Sequence, residues 1–325
     1  MNRTAALSEL TVDQVRSAQF NLHPGGPVIR PFGGSPTAAD PSLLTPAESP
    51  DGAWHLFCHN LLGVWHFVST DGIRFRKVQK TVPRAMRPNI NSIDGRYYLY
   101  YEHTRTLAAN ALNIINLTPW RSEIYLTESD DLIHWSQPHC VLAHTRAYEE
   151  SEHGVSVSNP YLLKEGEINR LYYSCGMTYI KDCGFCEPTY ISYAESKQVN
   201  AGFIAADMPI ISPDAQSPYL NLCAGCLKVY RLRDGYIGIQ NGIYRKESGS
   251  HSAILMLISD DGLDFRFEKA LIEPDGKPGS WMCQFVYASH LVFYDGRLRL
   301  YFNARNTADR IRGRECIGFA EAKIL

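Results

Sequence analysis

One short hairpin recurs five times in these 325 residues, and that recurrence limits what the chain can fold into. The first copy runs Asp40-Pro41-Ser42-Leu43-Leu44, turns at Asp51-Gly52 and returns from Trp54 to Cys58. The second runs Arg87 to Ile90, Asp94-Gly95 and Tyr97 to Tyr101; the third runs Asn159 to Leu163, Glu165-Gly166 and Leu171 to Ser174. Gly225 to Tyr230 with Asp234-Gly235 and Tyr236 to Gln240 is the fourth. Ser289 to Phe293 with Asp295-Gly296 and Leu298 to Phe302 is the fifth. Only the first copy opens with a carboxylate.

A second element supports the count. Val68 to Phe75, Glu128 to Trp135 and Ile258 to Phe265 each read as a strand, an acidic turn and an aromatic-led outer strand, with a weaker version around Ser192 to Phe203. The hairpin turns begin at 51, 94, 165, 234 and 295, and insertions at 105–121 and 142–157 stretch the second interval. Four short strands per period point to a propeller, whereas a β-sandwich would not open the same hairpin five times. The expected fold is therefore all-β, a five-bladed β-propeller with four antiparallel strands per blade. Residues 1–27 read as a lead-in with a short helix near Leu10 to Phe20, and 28–325 as one propeller domain.

Composition narrows the partners. With 45% hydrophobic and 20% charged residues the chain can bury a sizeable core, and a net charge of -2 without a basic tract argues against nucleic-acid or anionic-membrane binding. Residues 1–20 carry Arg3, Glu9, Asp13 and Arg16 and no continuous apolar segment, so neither a signal peptide nor a membrane span is expected and the chain reads as cytoplasmic. The nine cysteines are then expected reduced or metal-bound. Nineteen Tyr and five Trp suit strands and also line sugar clefts.

Asp-Pro opening a strand, an Asp-Gly hairpin and Ser-x-Asp-Gly-x-x-Phe/Trp closing the blade resemble the five-bladed glycoside hydrolases of families 43 and 32, whose fold the family 130 phosphorylases share. The likeness runs from Val28 to Leu325. It implies a carbohydrate substrate and an inverting hydrolase in which Asp40 is the general base. In that fold the starts of first strands and the ends of second strands converge on one mouth. This gathers Asp40, Arg87, Asn89, Asn159 and His290 with His59, Asn60, Glu102, His103, Arg105, Ser174, Cys175, Asn241, Asn303 and Arg305. The pattern departs from the family at Arg87-Pro88, where a second Asp-Pro is usual, and at Ser158-Asn159-Pro160, where a Glu two residues before the Pro is usual. Either the ordinary reaction is absent or the acid comes from elsewhere: from Glu102 or the Glu150/Glu152 loop in the first place, with Glu149 in that loop and Glu187 after the Cys183–Cys186 pair as further carboxyl groups.

Other features keep alternatives open. Arg87, Arg105 and Arg305 suit an acidic or phosphorylated sugar, or phosphate replacing water in a phosphorylase. Trp281 can stack on a sugar ring or pack between blades. Cys183 and Cys186 with Cys223 and Cys226 form two C-x-x-C pairs that could hold zinc or an iron–sulfur cluster, against free buried thiols or a redox disulfide. A structural cation on the axis near His290 is a further family-like option. The rival reading from another class is a sugar-binding propeller without catalysis, and a third is a thiolate–metal enzyme on the same scaffold.

Overall fold

A computed structural model describes residues 7–104, 112 and 115–324. It is a five-bladed β-propeller. Blade one is Ala39–Leu44, Trp54–Asn60, Gly63–Ser69 and Arg76–Pro83, hydrogen-bonded in that order from the inside outward. Blades three and four repeat the plan from Val157–Glu165 and from Leu227–Arg231. Blade two, from Ala85–Ile93, is larger than expected: Glu150–Ser151 and Gly154–Val155 add two short strands to its sheet.

The lead-in closes the ring. Asn21–Leu22 pairs with Glu315–Lys323 as the outermost strand of blade five, and Ile29 bridges Ile317. Ahead of it, a helix spans Val12–Ser17. Thr11 and Gln14 cap it reciprocally, and Val15 is buried against blade four. No helix among the described residues is long and apolar enough to cross a membrane.

The apolar faces of neighbouring blades pack on each other, so the core lies between blades. Leu44, Phe57 and Val64 of blade one meet Ile90, Leu99 and Tyr101 of blade two, for example. The Ser-x-Asp turns have one geometry in three blades. Gly72, Leu132 and Gly262 donate their N–H to Ser69, Ser129 and Ser259 Oγ at 2.9–3.0 Å, while Asp71, Asp131 and Asp261 accept two later backbone N–H groups each. The residue after the Asp has φ of +70°, +64° and +75°, which explains the glycine there and makes Leu132 the exception. Tyr301 and Tyr172 donate to the Gly72 and Gly262 carbonyls of the next blade at 2.8 Å, tying neighbours together.

At the mouth every inner strand carries one residue too many. Asp40-Pro41, Arg87-Pro88, Asn159-Pro160 and Tyr287-Ala288 each oppose a single residue of the second strand, which is a β-bulge. Proline fits there because the bulged position needs no ladder N–H. Gly225 takes the corresponding place in blade four, with φ +61° and a Cβ direction that points 2.2 Å from the Asn241 carbonyl oxygen. Two polar side chains below the bulges serve the fold: Ser42 Oγ accepts Ile90 N–H at 3.0 Å and Asn89 Oδ1 accepts Leu162 N–H at 2.8 Å, each across a blade boundary. Asn89→Ala should therefore strand a buried N–H and lower stability by about 1–3 kcal/mol in urea unfolding, without changing the native circular dichroism.

Candidate functional site

The bulges surround a cavity of about 660 Å³ at one end of the axis. Asp40, Arg87 and Asn159 line it with φ of +53°, +52° and +48°. That is strained for residues before proline, and such strain gathers at working sites. His59, Asn241, Asn303 and Arg305, from the ends of second strands, complete its polar floor.

Asp40 is held from two sides. Its N–H donates to Asn303 Oδ1 at 3.2 Å, and its Oδ2 lies 3.2 Å from His59 Nδ1. Arg87 N–H lies 3.2 Å from the same His59 Nδ1, so a ring proton on Nδ1 is donated to Asp40, whereas a proton on Nε2 leaves Nδ1 to accept from Arg87. Burial pushes the His59 pKa down to about 4, with Asp40 opposing and Arg87 adding to the shift, so the ring is neutral near pH 7.

Two further carboxyl groups face the cavity, Glu187 and Glu315. Each lies near the start of its blade's third strand, in Phe185–Ser196 and Glu315–Lys323. Third strands start at the same end where second strands finish: Glu187 sits opposite Thr178, and Glu315 opposite Arg305. Glu187 stands among the sequence-level acid candidates, but Glu315 was missed because only first-strand starts and second-strand ends were gathered. Counting third-strand starts would have found it. Burial raises the Glu187 pKa to about 8; Arg87 opposes this, and the Glu315 and Asp40 charges add to it. Burial likewise raises Glu315 to about 7, against the pull of Arg305 and a hydrogen bond from Asn303.

Glu102 lies behind this wall, fully buried. Its Oε2 is 2.5 Å from Arg87 Nη1 and its Oε1 accepts Trp120 Nε1–H at 3.0 Å, while the Arg87 guanidinium lies over the Trp120 ring. It anchors Arg87 and does not line the cavity. Glu149 is buried too, accepting from Tyr173 OH and the Thr145 and Arg146 N–H groups. Glu150 and Glu152 are exposed beside His144 and His153, away from the cavity lining.

Several other expected mouth residues also lie off the cavity. Asn60 accepts from Trp65 Nε1 and Leu62 N–H and donates to Phe32, so it shapes the strand end. His103 packs on Tyr125 with ring centroids 4.4 Å apart. Trp281 stacks on Phe302 over Gly318, as blade packing. His290 is buried on the axis between Tyr161 and Tyr230. Arg105 lies outside the described residues.

The four cysteines of the C-x-x-C pairs are separated by their packing. Cys186 and Cys226 line the cavity, whereas Cys183 and Cys223 sit behind it with Ile180, Ile243 and Phe285. Among the described residues no group of three or more His, Cys, Asp or Glu side chains is arranged to hold a metal ion, and all four thiols are free. Burial pushes Cys186 and Cys226 up to about 12, so both are protonated thiols near pH 7.

No protein-family model matches the chain, and no curated protein is similar to it in sequence. Solved structures do share the fold. An N-acetylgalactosamine deacetylase from F. plautii, solved with blood group B trisaccharide, superposes with a TM-score of 0.66 at 13% identity, over 94% of this chain and 95% of that one. A family 117 glycoside hydrolase from Zobellia galactanivorans gives 0.64 at 12% identity, over 94% and 91%. A structure from family 130, whose mannoside phosphorylases include hydrolases of β-1,2 mannosidic linkages in Candida mannan, gives 0.61 at 16%, over 94% and 93%. At these identities the likeness establishes the five-bladed propeller alone.

Removing Glu102 would leave Arg87 charged and unpaired inside the protein. Glu102→Gln is expected to cost about 3–5 kcal/mol of stability in denaturant unfolding, far more than a surface change. A stability equal to that of the unsubstituted protein would mean that the pair does not anchor the cavity wall.

Proposed function

We propose that the cavity is the active site of a glycosidase in which Asp40 is the general base and Glu187 the general acid. The observation that carries this reading is the convergence of Asp40 and Glu187 in one cavity, with Glu187 still holding its proton near neutral pH. A carboxyl group that stays protonated beside one that takes up a proton is the division of labour that glycoside hydrolysis needs. In the proposed inverting step, Asp40 takes a proton from water as the water oxygen bonds the anomeric carbon. The carbon–oxygen bond to the leaving group breaks, and Glu187 gives that oxygen its proton. Fold-level likeness to carbohydrate-active propellers agrees with this reading but is an analogy only.

Two of the three arginines that line the cavity are committed within the fold, Arg310 being the third. Arg87 is committed to Glu102, and Arg305 donates to the Thr307 and Asp309 carbonyl oxygens at 3.0 and 3.1 Å. Neither guanidinium is left free to fork a substrate carboxylate or phosphate, while Asn159, Asn241 and Asn303 suit hydroxyl groups.

A panel of aryl and alkyl glycosides tests the assignment. Asp40→Asn should lower kcat/KM by about 10²–10⁴-fold on every substrate that the unsubstituted protein turns over. Glu187→Gln should abolish turnover of alkyl glycosides and spare dinitrophenyl glycosides, whose leaving group needs no proton. Equal losses on both classes would remove Glu187 from the acid role.

The pH profile gives a separate check. Because the Glu187 proton is lost as pH rises through about 8, kcat/KM on alkyl substrates should fall above that pH. The same limb should vanish for Glu187→Gln acting on dinitrophenyl glycosides. A limb that survives the substitution belongs to another group.

A further inference from the structure

Arg310 is the cavity arginine that the fold leaves unused. It stands in the loop 306–314 between the second and third strands of blade five, Arg297–Arg305 and Glu315–Lys323. Among the described residues its guanidinium forms no hydrogen bond or ion pair. The loop around it is braced from within. Arg305 holds the Thr307 and Asp309 carbonyl oxygens, and Asp309 Oδ1 accepts the Ile311 and Arg312 N–H groups at 2.8 and 2.9 Å. Arg314 donates to the Ile311 and Gly313 carbonyl oxygens at 3.0 and 2.9 Å, while its N–H reaches Asn306 Oδ1 at 2.7 Å. Arg312, the neighbouring arginine of the loop, lies off the cavity lining.

The Arg310 side chain also has a fixed seat. A Cβ at Gly184 of blade three would meet Arg310 Nε, Cζ and Cδ at 3.0, 3.1 and 3.3 Å, so the guanidinium rests on bare backbone. The turn that carries Gly184 is itself tied to blade four: Asp182 Oδ2 accepts Ser250 N–H at 2.7 Å and its Oδ1 accepts Ser250 Oγ–H at 2.8 Å. The acids close by are occupied otherwise. Asp309 caps its own loop, Glu315 accepts from Asn303, and Glu187 keeps its proton near neutral pH. A guanidinium fixed at a cavity mouth without a counter-ion offers a planar fork of N–H donors to an oxyanion. We propose that Arg310 binds an anionic substituent of the substrate sugar, a carboxylate, sulfate or phosphate, so that the substrate class is an acidic glycoside. The inference rests on the cavity being a glycoside site, in which Asn159, Asn241 and Asn303 meet hydroxyl groups while Arg310 reads charge.

The test is calorimetric binding of matched sugars to the full chain: glucuronic acid, glucose 6-sulfate and glucose 6-phosphate against glucose, with the same series built on galactose. At least one charged sugar should bind about 10–100-fold more tightly than its neutral parent, the range of a hydrogen bond to a charged group. Which of the three does so identifies the anion. Arg310→Gln should remove the preference and leave the affinity for the neutral parent unchanged, and Arg310→Lys should keep part of it. Arg310 is exposed and bonds to nothing in the fold, so both variants are expected to keep the native circular dichroism. A preference that survives Arg310→Gln overturns the proposal, as does the absence of any charged sugar that binds more tightly than its parent. Because binding needs no turnover, either result leaves Asp40 and Glu187 in their roles. Failure of the glycosidase reading would show instead as absent turnover with the charge preference intact.

Discussion

The site depends on the bulge at the mouth of each inner strand. Two residues facing one, with positive φ at the first, bring Asp40, Arg87 and Asn159 of blades one to three to the cavity lining. Without the bulge, a strand running along the axis would alternate its side chains between the two blade interfaces. The ring of chemistry at the mouth is thus a backbone feature first and a set of side chains second. The Xaa-Pro pairs in the sequence are its trace, because proline suits a position excused from the ladder.

Much of the architecture could be read from that trace. The five hairpins and the Ser-x-Asp turns are local patterns, and each became the element it suggested; even Leu132 adopts the backbone its glycine counterparts use. The two additional strands of blade two were not legible, since Glu150–Ser151 and Gly154–Val155 are too short to show a period. At the site, Asp40, His59, Arg87, Asn159, Asn241 and Arg305 reach the cavity as strand geometry required. Asn60, Asn89 and Glu102 were gathered by the same geometry but bond within the fold instead. Strand position says which end of the blade a residue occupies; it does not say whether the side chain leans to the axis or to a neighbouring blade.

Charge ties the fold to the proposed chemistry. Arg87 occupies the second bulge, and its guanidinium turns back into the protein to meet Glu102 and Trp120. The pair holds the blade-two wall while its positive end still moderates Glu187. Glu315 acts in the opposite sense, raising Glu187 from blade five. The protonation of one carboxyl therefore reports on three blades at once, and any shift between them would be felt there.

The most direct measurement is a carbon-13 titration of the Glu187 side-chain carboxyl in the unsubstituted protein, assigned by its loss in Glu187→Gln. The account expects a midpoint near 8, with the group protonated at neutral pH and able to serve as an acid. A midpoint near the ordinary 4.5 would leave Glu187 ionised at neutral pH, and the pairing of Asp40 with Glu187 as base and acid would be contradicted.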